Sequence, residues 1–315
     1  MDNMWLDFKI TNRCNNNCAY CGVSHNEITA KELIPTNKII DTIKSALDIG
    51  FKNFAFLGGE PTLRKNIGNL FPVFQECKDV NVLIITNGLI FNDILVNSAF
   101  ACGAGSVHIV QSFDSFEVPN YKHQNPQKIL SNIDKIQQIA EKYSTKQFKR
   151  GVCIHSVISR ENYKRIYELV SYFHEREIDI SVGLVCPSKF DETEIPTEYN
   201  HFNFIELNAI LNQLERLKNE GKLNFANSVL YEYLQLYPFG KIDIKEICKA
   251  GKEHVIINPD GEVYPCITQS YASGKKYGNI NDVSFEWIYQ KFQGFVCISD
   301  FAPACYDHYL WNKLN

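Results

Sequence analysis

From residue 5 to about residue 187 the chain alternates between two textures. Short runs with apolar residues at every second position, or apolar throughout, are followed by longer runs with apolar residues at helical spacing. WLDFKIT places Leu6, Phe8 and Ile10 on one face and predicts the first strand. TNKIIDTIKSALDIG predicts a helix with Ile39, Ile40, Ile43 and Leu47 as its stripe and Thr36 as its cap. KNFAFLG, NVLIITNG, SVHIVQSFD, RGVCIHSVIS and DISVGLVCP continue the strands. The helical runs between them are NIGNLFPVFQEC, kinked at Pro72, then FNDILVNSAFACG, PQKILSNIDKIQQIAEKY and NYKRIYELVSYFHERE.

Six strands alternating with five helices imply parallel strands joined by right-handed crossovers. The expected fold is α/β, a partial (β/α)6 barrel over residues 1–187 that stops short of closing. Residues 188–245 read as a helical bridge, with FIELNAILNQLERLKNEGKL its clearest helix. Residues 246–315 read as a small α+β extension, in which VIINPDGEVYPC is two short strands about a Pro-Asp-Gly turn.

Composition narrows the classes. A formal net charge of −4 offers no electrostatic footprint for nucleic acid or an anionic membrane. No apolar run is long enough to span a bilayer, and MDNMWLDFKI has neither part of a secretory signal. A cytoplasmic location is expected. There the eleven cysteines point to metal binding or chemistry, not to disulfides. Seven fall in two groups: Cys14, Cys18 and Cys21 near the start, and Cys248, Cys266, Cys297 and Cys305 near the end.

The first group lies in TNRCNNNCAYCGV, directly after the first strand, and ligands in open α/β folds sit beyond the carboxyl ends of strands. Its asparagines tolerate the left-handed turns that wrap a chain around a metal. Two sites suit three thiolates. Zinc would need a fourth ligand, which His25 could supply; an iron–sulfur cluster accepts three and keeps one iron open. The next strand end, FLGGEPTLR, brings Gly58, Gly59 and Glu60 to the same mouth. There two glycines permit close backbone approach and a carboxylate can hold an ammonium group. ITNG and QSFDS add small polar groups at the third and fourth strand ends. A zinc knuckle needs none of these; a cluster with an open iron and a bound amino acid does.

These segments resemble the radical S-adenosylmethionine (SAM) superfamily: CxxxCxxC at Cys14, Cys18 and Cys21, with Tyr20 before the last cysteine, GGEP at 58–61, TNG at 86–88 and SFDS at 112–115. The resemblance implies a [4Fe–4S] cluster whose open iron is chelated by the amino and carboxylate groups of SAM. Reductive cleavage then yields methionine and a 5′-deoxyadenosyl radical that takes a hydrogen atom from the substrate. In this reading Glu60 takes the amino group, with Gly58, Gly59 and Asn87 around it. Ser112, Asp114 and Ser156 face the carboxylate or ribose. A reductase such as flavodoxin or ferredoxin is an implied partner.

CKAGKEHVIINPDGEVYPC and the following YGNINDVSFEWIYQKF resemble the SPASM and twitch extensions. That implies one auxiliary [4Fe–4S] cluster on Cys248, Cys266, Cys297 and Cys305, with His308 able to replace a ligand and tetrathiolate zinc as the alternative. Four protein ligands leave no open iron, which suits an electron relay and oxidative products. Molybdenum-cofactor enzymes of the superfamily share GGEPTLR-like and SFDS-like segments but end in Gly-Gly, where this chain has WNKLN; that function is set aside.

The expected substrate is a ribosomally made peptide, with a small aminoglycoside-like molecule as the alternative. Thirteen residues before Cys14 leave no room for a leader-recognition domain, which counts somewhat against a large peptide maturase but does not exclude one, since the recognition element can be a separate protein. Cys186, at the end of the sixth strand, is a candidate hydrogen donor, and Cys153 is a second free thiol. Known epimerases of the superfamily place their donor where this chain has Ile267, which argues against epimerisation. The competing class is a non-catalytic electron carrier or zinc-stabilised binding module.

Overall fold

The computed structural model describes residues 4–21, 34–118, 125–185, 202–236, 249–271, 276–292 and 295. All six expected strands form: β1 (Trp5–Lys9), β2 (Asn53–Leu57), β3 (Asn81–Thr86), β4 (Ser106–Ser112), β5 (Lys149–Ile158) and β6 (Ile180–Leu184). Between them lie α1 (Thr36–Ile49), α2 (Asp93–Phe100), α3 (Pro126–Tyr143) and α4 (Ile166–His174). After them come α5 (Phe204–Asn219) and α6 (Phe225–Leu236), then β7 (His254–Ile257), β8 (Val263–Tyr264), α7 (Ile267–Tyr271) and α8 (Phe285–Gln290).

These strands make one sheet in the order β6-β5-β4-β3-β2-β1-β7-β8, so β6 and β8 are free ends and the barrel stays open. Neighbours from β6 to β7 are parallel, and β8 folds back antiparallel on β7. The hairpin expected near the C-terminus is therefore continuous with the barrel sheet: Trp5 pairs with His254 and Phe8 with Ile257.

The alternation seen in the sequence is the two-sidedness of this sheet. Leu6, Phe8, Phe54, Phe56, Val107 and Ile109 are all buried and belong to the principal apolar core. Phe8 and Phe56 stack at 5.7 Å, and Phe71 and Phe74 meet Phe56 edge-on. The opposite face carries polar groups, considered below.

Two local expectations are corrected. Ile67–Phe74, read as an α-helix, is a 3-10 helix. Pro72 lacks an N–H and would clash with the preceding turn of an α-helix, so the segment winds more tightly, with Asn69 N bonded to Asn66 O. Thr36 is not the cap of α1 but its first residue; Pro35 precedes it, and the Thr36 hydroxyl accepts instead from the Arg64 guanidinium at 3.5 Å.

Side chains finish the elements that the backbone leaves open. Arg150 is buried and donates from Nε to Phe100 O and from its other arm to Cys102 O, both at 2.7 Å, closing the C-terminus of α2. At the free edge of β6, Asn227 is fully buried. Its amide accepts from Val182 N at 2.9 Å and donates to Ile180 O at 2.8 Å, imitating the missing neighbour strand. No described helix is long and apolar enough to cross a membrane.

Candidate functional site

The cysteine loop begins where β1 ends and is fastened to β2 by a ladder that outlasts the strands. Ile10 N donates to Leu57 O at 2.8 Å, Gly59 N to Thr11 O at 2.7 Å, and Glu60 N to Arg13 O at 2.7 Å. The two glycines are required by this approach. A Cβ on Gly58, whose φ is +151°, would lie 2.3 Å from Thr11 O, and one on Gly59 would lie 2.3 Å from Arg13 O. The backbone they admit is that of the cysteine loop itself.

Cys14 and Cys18 are half-buried and Cys21 is exposed. The Cys21 amide donates to Cys18 O at 3.0 Å, and the Asn16 amide donates to Cys14 Sγ at 3.4 Å. Burial pushes the Cys14 thiol above its ordinary range, opposed by the Asn16 amide and reinforced by Glu60 and Cys21. The three thiols lie along one loop, and thiolates are the usual ligands of iron–sulfur clusters. Among the described residues no three His, Cys, Asp or Glu groups converge on a single-ion site.

The Glu60 side chain, expected to hold the amino group of SAM, is fully buried and bonded within the chain. Oε1 accepts from Thr62 N at 3.0 Å and from the Thr62 and Thr86 hydroxyls at 2.7 Å; Oε2 accepts from Asn87 N at 2.7 Å. One carboxylate thus ties the end of β2 to the end of β3. Buried hydrogen bonds to a charged acceptor contribute about 1.5–3 kcal/mol each. Glu60→Gln, which turns one acceptor into a donor facing donors, is expected to lower unfolding stability by about 2 kcal/mol or more. Chemical denaturation of the metal-free chain checks this; a residue that served SAM alone would leave that stability unchanged.

Asp114, expected to face SAM, also bonds within the chain. It is buried, takes the Tyr20 hydroxyl on Oδ2 at 2.6 Å and Val157 N on Oδ1 at 2.9 Å. The aromatic residue of the cysteine motif is thereby moored to the end of β4, a role the sequence reading did not give Tyr20. Its place inside CxxxCxxC was the available signal.

The remaining expected residues divide. Ser112 lies at the end of β4 on the open face of the sheet, in step with His108 and Val110. Ser156 is buried on the other face of β5, with Val152 and Ile154, and lines a small pocket with Asp114, Ser115, Asn162 and Arg165. Ser112 and Ser156 therefore do not share a face. Asn87 reaches the cysteine loop, its Nδ2 standing 2.8 Å from Asn15 Oδ1 and 3.8 Å from Cys14 Sγ. Of the C-terminal cysteines, Cys266 is described: it is buried and accepts from Gln269 N at 3.4 Å. Cys186, Cys248, Cys297 and Cys305 lie outside the described residues, as do His25 and His308.

The open face of the sheet holds a polar lining that the sequence reading overlooked. His254 Nε2 meets Asp7 Oδ2 at 2.8 Å, Lys9 donates to Ser270 Oγ at 2.9 Å, and His155 Nδ1 meets Ser181 Oγ at 3.0 Å. Lys9, on β1, and Ser270, on α7, join the strand beneath the cysteine loop to the helix that follows Cys266. His108 lies over Gly151 of β5, and burial holds its imidazole below the usual range, favouring the neutral form. Burial pushes the Cys153 thiol up to about 12, so at neutral pH it keeps its hydrogen.

Comparison with known proteins accords with this arrangement. Residues 8–201 match the family model described as the radical SAM superfamily, and residues 248–307 match SPASM, an iron–sulfur cluster-binding domain. A GTP 3′,8-cyclase of Helicobacter pylori (strain ATCC 700392 / 26695) is 24% identical over 282 residues, 88% of this chain and 84% of the cyclase. The tungsten-containing aldehyde ferredoxin oxidoreductase cofactor-modifying protein of Pyrococcus furiosus is 22% identical across 96% of this chain and 86% of its own. Among solved structures, Streptococcus suis SuiB bound to precursor peptide SuiA superposes with TM-score 0.69 at 18% identity, covering 94% of this chain and 68% of SuiB. Native anSMEcpe with bound AdoMet gives TM-score 0.64 at 17% identity over 93% and 82% of the two chains.

Proposed function

Since the chain belongs to the radical SAM superfamily and ends in an iron–sulfur cluster-binding SPASM domain, we propose that it oxidatively modifies a ribosomally made peptide. The observation that carries the reading is the cysteine loop, with three thiols between β1 and the fastenings to β2, β3 and β4. Cys14, Cys18 and Cys21 hold the cluster, and its fourth iron is left for SAM. When bound, the pair supplies reductive cleavage of a sulfonium and abstraction of a substrate hydrogen atom.

The chain's own residues do the positioning. Gly58 and Gly59 let the loop lie against β2, Tyr20 and Asp114 hold its far side to β4, and Glu60 locks the two strand ends beneath it. Ser112 stands at the rim, where it can meet SAM. On the polar face Asp7 and His155 are half-buried and can meet a substrate, while Lys9 and His254 are buried and hold Ser270 and Asp7. A second cluster belongs on Cys248, Cys266, Cys297 and Cys305, and a flavodoxin or ferredoxin is the electron source. Support for a peptide comes from SuiB, solved with its precursor peptide, and from anSMEcpe, solved with a peptide as well. A separate leader-recognition protein completes the peptide reading, and Cys186 is its candidate hydrogen donor.

The GTP 3′,8-cyclase matches favour a second reading, in which the substrate is a small molecule. Anaerobic reconstitution separates the possibilities. The enzyme reading expects about eight irons per chain and reductant-dependent 5′-deoxyadenosine. Turnover stimulated by a candidate precursor peptide supports the peptide; turnover stimulated by GTP alone moves the assignment to the second reading. No deoxyadenosine under any reductant would leave an electron carrier.

A further inference from the structure

We propose that Asn87 sets the reduction potential of the N-terminal cluster by donating an N–H···S hydrogen bond to the Cys14 thiolate. The inference rests on the cluster assigned above and adds a role distinct from holding SAM.

Three contacts fix the geometry. The backbone of Asn87 is held by Glu60 Oε2, which accepts its N–H at 2.7 Å. The side-chain oxygen is committed to Leu89 N at 3.0 Å. That bond decides which end of the amide faces where, a choice that the shape of an asparagine leaves ambiguous. Nδ2 must therefore point back to the cysteine loop, where one hydrogen goes to Asn15 Oδ1 at 2.8 Å and the other faces Cys14 Sγ at 3.8 Å. With the Asn16 amide at 3.4 Å, Cys14 Sγ receives two N–H groups, one from its own loop and one from the end of β3.

Reduction adds one electron to the cluster and breaks no bond. The added charge spreads onto the thiolate sulfurs, so a donor aimed at one of them stabilises the reduced form more than the oxidised form, and the potential rises. The amide keeps its proton throughout. Fixing the donor through buried Glu60 removes the reorganisation a mobile side chain would need.

The test is an EPR-monitored titration with dithionite of the reconstituted full-length protein, without SAM or substrate. The C-terminal cluster serves as the internal control. Asn87→Asp is close to isosteric and keeps the acceptor for Leu89 N, but it replaces the donor with a negative oxygen. Asn87→Ala removes the donor to Cys14 together with the side-chain contacts to Asn15 and Leu89 N. Both are expected to make one midpoint more negative while the other stays, Asp more than Ala. For Asp the expected shift is on the order of tenfold in the reduction equilibrium, about 59 mV for one electron.

Fully loaded Asn87→Asp with both midpoints unchanged overturns the inference while leaving the proposed function intact. Loss of N-terminal iron from both variants also overturns it, because Asn87 would then serve loop assembly. A wild-type chain that assembles no cluster on Cys14, Cys18 and Cys21 removes the functional reading as well.

Discussion

A chain with Cys14, Cys18 and Cys21 all replaced by alanine is expected to lose about four irons and form no 5′-deoxyadenosine above the enzyme-free background. It should retain its fold and its C-terminal iron. The side chains concerned are small and none is fully buried. The two hydrogen bonds lost from Asn16 N and Asn87 Nδ2 to Cys14 Sγ contribute only about 1 kcal/mol each. The loop is meanwhile held by backbone bonds at Thr11 and Arg13 and by Tyr20, none of which the substitutions touch. The structural cost is thus small against the complete loss of chemistry. Iron analysis and chromatographic assay of the reduced protein with SAM check the prediction. A triple variant that still cleaves SAM would place the chemistry elsewhere.

Gly59→Ala should disable the same site without removing a ligand. The added methyl would meet Arg13 O at 2.3 Å and Asn12 O at 2.7 Å, both backbone atoms. Neither side can yield easily, because the bonds Gly59 N to Thr11 O and Glu60 N to Arg13 O bracket the contact at 2.7 Å each. The loop must lift from β2 or the strand end must bend. Overpacking of this kind and the loss of two backbone bonds together cost about 3 kcal/mol or more. The expected outcome is a lower denaturation midpoint and poor iron uptake at the N-terminal site, with the three cysteines intact. Normal stability and full iron would show that fastening to β2 does not shape the cluster loop.

Legibility in the sequence followed the range of the interactions involved. The six strands were readable because burial on one face of a pleated sheet repeats every second residue. Leu6 and Phe8 carry that signal without reference to any distant partner. The cysteine motif stood out because its three thiols lie within eight residues of chain. Pro72 announced a disturbance but not its form: a kink and a tighter 3-10 winding both answer a missing N–H, and the chain takes the second. Glu60 shows the opposite limit. Its position at a strand end was legible, but not that its donors include Thr86 and Asn87, 26 and 27 residues away. No spacing rule foretells which side chains close on a carboxylate.

Local pattern and motif alone pointed to a parallel α/β protein with a three-cysteine loop at the mouth of its first strand, resembling the radical SAM superfamily to which the family match assigns it. Periodicity and ligand spacing are written into contiguous residues, so they survive being read in one dimension. Tertiary structure alone decided that β7 lies beside β1 across some 250 residues of chain. It also decided that Tyr20 answers to Asp114, that Glu60 joins the ends of β2 and β3, and that Asp7, Lys9, His155 and His254 share one face of the sheet. Those pairings are fixed by which surfaces meet when the sheet forms, and a hydrogen-bonding side chain carries no mark of its partner until then.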